Sequence, residues 1–191
     1  MTNIKTNRYY KLFYIHGYLS EPNSTKGALF KDKLNAQAIK YRDCEPQELK
    51  ISDCVKRIKD FIKEENNVVL IGSSLGGLLA AKAAKDNNQI KHLILLNPAI
   101  IPPNVDINEI SDMPKRILTE MKDPDLFNKS IKSEIFILLG KNDEVVPNNW
   151  GIYFAKKQNA TVRFLDDDHR FSNNMSQLPK IIGKYLNKSI N

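Results

Sequence analysis

The sequence predicts an α/β fold, a mostly parallel central sheet with helices on both faces. Three observations predict it. Apolar runs alternate with segments of helical period from one end of the chain to the other. The strand candidates are apolar throughout rather than alternating, as strands covered on both faces must be. The chain has 191 residues, 41% hydrophobic and 27% charged, which suits one ordinary globular domain, since two independent domains would each have a small core.

The elements follow in order. KLFYIHG, residues 11–17, is a short buried strand ending in His-Gly. Residues 24–34 form a first helix, with Ser24 as its N-cap. AQAIKYRD is a less clearly patterned strand. ISDCVKRIKDFIKEE repeats Val55, Ile58, Phe61 and Ile62 at helical spacing, and Ser52 or Asp53 caps its start. NVVLIGSS is a β-branched strand, followed by LGGLLAAKAAK, a helix of small residues that packs closely. KHLILLN is a strand stopped by Pro98. EIFILLGKND is a strand, NNWGIYFAKKQ a helix and ATVRFLDDD a strand. SQLPKIIGKYLNK closes the series with Pro179 in its first turn. Residues 99–133 break the rhythm, with Pro102, Pro103, Pro114 and Pro124 around a helix in MPKRILTEMK. An insertion of this length is expected to act as a small cap over the carboxyl edge of the sheet.

Composition excludes several classes. The net charge is +7, yet the basic residues are spread through nearly every element. No basic run is interleaved with aromatics, so a solvated lysine-rich surface is expected and no nucleic-acid partner. No apolar run approaches the roughly 20 residues of a membrane helix. The opening MTNIKTNRYY lacks a signal-peptide core, which predicts a cytoplasmic protein. Cys44 and Cys54 form no C-x-x-C pair and are expected to be structural or incidental.

Gly72-Ser73-Ser74-Leu75-Gly76 matches G-x-S-x-G, and its setting gives the match its force. It follows a strand and opens a helix, the arrangement that lifts a serine hydroxyl above a sheet on a sharp, strained turn. Glycines two residues either side of Ser74 remove Cβ atoms that would clash. The helix start offers free N–H groups, and the Leu75 N–H is a natural oxyanion donor. Ser74 is therefore the candidate nucleophile.

A serine needs a positioned base. His92 lies at the start of a strand and reads as a surface or structural residue. His169 follows the final strand, at the edge where the elbow sits, and is the candidate general base. Asp143, at the end of another strand, is the candidate orienting acid. Spacing leaves the adjacent Glu144 open, and Asp168 is awkwardly placed beside its neighbour His169. The chain order Ser74, Asp143, His169 is that of the α/β-hydrolase triad. The second oxyanion donor is expected from the loop after the first strand, at the N–H of Tyr18, with Gly17 the competitor. His16 either shapes that loop or is a plain buried histidine.

YIHGYLSEPNSTKG, LIGSSLGGLLAAKAA, LILLNPAIIPP, LLGKNDEVV and DDDHRF occur in the order seen in the YqiA-like small esterases of the α/β-hydrolase superfamily, which nearly the whole chain resembles. The resemblance implies a minimal α/β-hydrolase fold without the first strands of larger members. It also implies esterase or thioesterase activity on short acyl chains, with Ser74, Asp143 and His169 as the triad. Two features depart from the family. Asp167 and Asp168 stand where a glycine often precedes the final histidine, and residues 99–133 carry no recognisable motif.

The expectation is thus a single domain over 1–191, hydrolysing a small ester or thioester through a Ser74 acyl-enzyme, with no metal or organic cofactor. Lys115, Arg116 and Lys122 mark either a preference for anionic substrates or a solvated helix face. The competing expectation is a non-catalytic binding protein on a hydrolase scaffold.

Overall fold

The computed structural model describes residues 10–188, so the reading of the first nine residues lies outside it. Six strands form one sheet in the order β2-β1-β3-β4-β5-β6: β1 (Lys11–Ile15), β2 (Gln37–Ala38), β3 (Val68–Ser73), β4 (Ile90–Leu96), β5 (Glu134–Gly140) and β6 (Thr161–Leu165). Every pairing is parallel. β3 is buried along its whole length, which explains a strand made only of Val, Leu, Ile, Gly and Ser. β4 begins at Ile90, one residue before the sequence expectation, and Asn97 leaves the strand with φ 44°.

The helices are α1 (Thr25–Leu34), α2 (Ile51–Ile62), α3 (Leu75–Ala84), α4 (Lys115–Met121), α5 (Asp125–Asn128), α6 (Asn148–Gln158) and α7 (Leu178–Lys188). Two apolar cores divide them. Phe30 and Leu34 of α1 share one core with Leu178, Ile181, Ile182 and Leu186 of α7. Residues of α2, α3, α4, α5 and α6 fill the other, across the sheet. α1 and α3 therefore leave neighbouring strands β1 and β3 toward opposite faces. That opens a crevice at the carboxyl ends of those strands, the place where open α/β sheets hold their ligands.

Local chemistry explains the boundaries. Ser24 accepts from the Gly27 N–H and caps α1 as expected. The second strand shrinks to two residues. Ile39 still donates to the Tyr14 carbonyl, after which the chain turns away. The expected cap of α2 needs correction. The helix starts at Ile51, so Ser52 and Asp53 already lie in its first turn, and Lys50 at the cap position offers no side-chain acceptor. The Glu120 carboxylate on α4 accepts from the Ile51 N–H at 2.7 Å instead. The buried face of α2 is Ile51, Cys54, Ile58 and Ile62, while Phe61 is 44% exposed and meets Phe13 edge-on. His92 is buried rather than superficial, its Nε2 against the Tyr10 hydroxyl at 2.9 Å.

Residues 99–133 pack into the larger core through Ile100, Ile101, Ile117, Leu118, Met121, Leu126, Phe127 and Ile131. Asp123 holds this segment to α3 through Lys82 and Lys85, at 3.3 and 3.2 Å. Glu120→Ala is expected to lower stability by about 1–2 kcal/mol, the usual cost of losing a charged helix cap. A urea midpoint measured beside wild type checks it, and an unchanged midpoint would deny the cap. Among the described residues, no helix is long and apolar enough to cross a membrane.

Candidate active site

The carboxyl ends of β1, β3, β4, β5 and β6 lie along one edge, because the strands are parallel. Ser74 follows β3 directly, with φ 54° and ψ −119°. A non-glycine residue in that region is strained by on the order of 1–3 kcal/mol and persists only where its surroundings enforce it. They do so here. The Ser74 N–H donates to the Leu96 carbonyl at 2.9 Å, and its own carbonyl accepts from Gly77 and Ala99 at 2.9 and 3.1 Å. A Cβ at Gly76 would collide with the carbonyl oxygens of Ile15 and His16, and one at Gly72 with the backbone of Gly76. Both glycines are thus required by close approach, as the motif implied. The Leu75 N–H opens α3 and reaches no acceptor among the described residues.

Asp143 and His169 come together. His169 Nδ1 lies 2.9 and 2.8 Å from the two Asp143 carboxylate oxygens. The Asp143 side chain is 1% exposed and that of His169 14%. Asp143 Oδ1 also accepts from the Val145 and Val146 N–H groups at 2.9 and 2.8 Å, which fixes the carboxylate on its turn. Glu144 touches only the His169 backbone N–H, at 3.4 Å. Asp168 accepts instead from the Arg170 and Ser172 N–H groups. The Ser172 hydrogen bonds hold its carboxyl below the usual range.

Asn97, which the sequence reading passed over, and Asp167, noted there only as a departure from the family, build the histidine loop. Asn97 donates to the carbonyls of Asp168 and His169 at 3.2 and 3.0 Å, and accepts from the Gly140 N–H at 2.7 Å. One buried amide thus joins the end of β4 to the loop after β5 and to the loop of His169. The Asn-Pro pair just beyond an apolar strand was the available signal, since asparagine tolerates the left-handed backbone it adopts there. Asp167 is fully buried and accepts from the N–H groups of Asp168, Asn173 and Asn174. The aspartate run reads as charge in the sequence, whereas in the fold its middle member organises the loop. Lys26, packed against the same loop, is pushed down to about 8 by burial.

Gly17 lies against Ser74, since a Cβ there would sit 3.4 Å from Ser74 Cβ and 3.9 Å from its Oγ. Tyr18 follows, half-buried, and its N–H meets no acceptor among the described residues. His16 is fully buried and stacks on Tyr41 with ring centroids 4.4 Å apart.

Three basic residues of the 99–133 segment hold backbone. Lys115 donates to the carbonyls of Ile107 and Ile110, Lys122 to those of Pro103 and Val105, and Arg116 to those of Leu49 and Gln47. They fasten the segment to itself and to the loop before α2. Two cavities, of about 880 and 350 Å³, lie beside β1–β2 and beside Tyr41–Arg57, and neither is lined by Ser74, Asp143 or His169. Among the described residues, no three His, Cys, Asp or Glu side chains gather as a metal site.

Comparison with known proteins agrees with this architecture. A family model described as uncharacterised protein family UPF0227 matches residues 11–185. No curated protein sequence matches the chain. Est1E from Butyrivibrio proteoclasticus is similar in structure, with a TM-score of 0.76 at 19% identity over 97% of this chain and 91% of that one. Alpha/beta hydrolase domain-containing protein 10 from mouse gives a TM-score of 0.74 at 20% identity, over 96% and 92%. A monoacylglycerol lipase from Paleococcus ferrophilus gives 0.70 at 15% identity, over 93% of each chain. The fold is that of the α/β hydrolases.

Proposed function

We propose that this chain, which belongs to the YqiA-like family UPF0227 and has the α/β-hydrolase fold, is a serine esterase or thioesterase acting on small substrates. The observation that carries the reading is the Asp143–His169 pair, at 2.8 Å on the same sheet edge as the strained Ser74. With Nδ1 bonded to Asp143, His169 Nε2 is the nitrogen free to take a proton. Ser74 Oγ attacks the acyl carbon and its proton passes to Nε2. The carbonyl oxygen, now negative, receives the N–H groups of Leu75 and Tyr18. The tetrahedral adduct collapses, and His169 protonates the departing alcohol or thiol. Water then repeats the sequence on the acyl-enzyme and releases the acid.

The chain is one domain in this reading, and residues 99–133 are a fixed cap. The buried apolar residues of that segment belong to the core, so few remain to wall an acyl tunnel. Leu19, 84% exposed, and Val145, 58% exposed, stand on the two loops that flank the site. A cytoplasmic setting suits the two free cysteines. Across p-nitrophenyl esters from acetate to palmitate, kcat/KM is expected to peak at or below about six carbons, because each further methylene needs enclosure to contribute. An optimum at dodecanoate or longer would overturn the short-chain reading. Fluorophosphonate labelling that disappears in Ser74→Ala tests the serine reading itself.

A further inference from the structure

We infer that Tyr41 and His16 are positioning residues that aim the Tyr18 N–H at the developing oxyanion by clamping the carbonyl of Gly17. The inference rests on the serine-hydrolase reading above and deepens its account of the oxyanion hole.

The clamp acts on a single peptide unit. Residues 17–20 form a turn in which the Gly17 carbonyl accepts from the Ser20 N–H at 3.3 Å. The Tyr41 hydroxyl, from 24 positions along the chain, donates to the same oxygen at 3.2 Å, and His16 Nδ1 lies 2.9 Å from it. A planar trans peptide points its C=O and its N–H in opposite directions. Three donors gathered on the Gly17 oxygen therefore fix the direction of the Tyr18 N–H. That peptide begins at the residue packed against Ser74.

The surroundings fit this role. Burial pushes His16 down, so its ring is neutral, and the contact with a carbonyl places its proton on Nδ1. Its Nε2 is buried without a partner among the described residues. Arg42 fixes the far end of the turn, donating from Nη2 to the Ser20 carbonyl and to Glu21, both at 2.9 Å. Its Nε and Nη1 are likewise buried and unpaired among the described residues. Orphaned polar atoms are costly and need a reason. Here the His16, Tyr41 and Arg42 side chains converge beneath one four-residue turn. The Tyr41 ring is fully buried and carries the stack with His16.

A trifluoromethyl ketone reads the clamp directly. Ser74 Oγ adds to the ketone carbon, the hydroxyl proton passes to His169, and the ketone oxygen becomes an alkoxide facing Tyr18 and Leu75. Losing a whole oxyanion donor typically lowers turnover about 100- to 1,000-fold, so misaiming one is expected to cost about tenfold. In Tyr41→Phe, kcat on p-nitrophenyl acetate should fall by that factor, and the ketone inhibition constant should rise in parallel. KM and the shape of the pH profile should stay as in wild type. His16→Asn keeps an N–H at the place of Nδ1 and should fall less than His16→Leu.

A folded Tyr41→Phe protein with wild-type turnover and ketone affinity overturns the inference. So does a fall in turnover with ketone affinity untouched, which marks a structural role only. Fluorophosphonate labelling separates the two levels. A wild-type protein that takes no label at Ser74 overturns the serine reading and the clamp together. A labelled wild type with an insensitive Tyr41→Phe variant overturns the clamp alone.

Discussion

Ser74→Ala is expected to lower turnover by about a million-fold, to little more than what binding and the oxyanion donors supply. The elbow is held from outside the side chain, by hydrogen bonds of the Ser74 backbone to residues 77, 96 and 99. Alanine inherits that backbone, so the fold should survive. Hydrolysis of p-nitrophenyl acetate and circular dichroism, measured together, distinguish lost chemistry from lost structure. A folded variant with full activity would remove Ser74 from the mechanism.

Asp143→Asn is the next largest effect, a fall of about a thousand- to ten-thousand-fold. The geometry says why. The amide oxygen can still accept from Val145 and Val146, so the turn should persist. The amide NH₂ must then face His169 Nδ1, which cannot donate to it. The imidazole proton moves to Nε2, the atom that has to receive the serine proton. Glu144→Gln touches only a 3.4 Å contact to the His169 backbone and should do far less. Kinetics of the two variants side by side check the ranking, and the reverse order would move the acid by one residue.

Features of short range in the chain were legible in the sequence. Ser24 caps α1 because the N–H it accepts from, that of Gly27, is only three residues on. The elbow glycines declared themselves by their spacing from Ser74. Features that need the fold were not. The cap of α2 comes from Glu120, 69 residues away, and no local pattern announces it. Phe61 keeps helical spacing with Ile58 and Ile62, yet the buried face is turned toward Cys54, and the packing that decides this is long-range. Lys115, Arg116 and Lys122 showed only charge. Apart from a 3.8 Å ion pair of Arg116 with Glu120, their partners are backbone carbonyls, which every residue possesses and no sequence distinguishes. Asp143 and Glu144 were equivalent by spacing, and only the packing of the histidine loop puts one of them on the ring and the other on the backbone.

The order of the strands bears on how the chain acquires its shape. Each pairing in the sheet joins strands separated by a long crossover, and β1 must wait for β3, more than fifty positions on, to cover its second edge. Sheets of this kind fold slowly, since loop closure precedes any reward in contacts. The largely apolar unit of β3, α3 and β4 has the shortest crossover onto the buried centre and is the natural nucleus. During synthesis the N-terminal elements emerge first. The turn at Gly17 and the elbow at Ser74 can therefore be assembled while the segment bearing His169 has yet to dock. The loop of Asp168 and His169 can join Asn97 only when β6 closes the edge. A refolding chain should accordingly regain its central sheet before its chemistry, so that hydrolysis reports the last step of folding rather than the first.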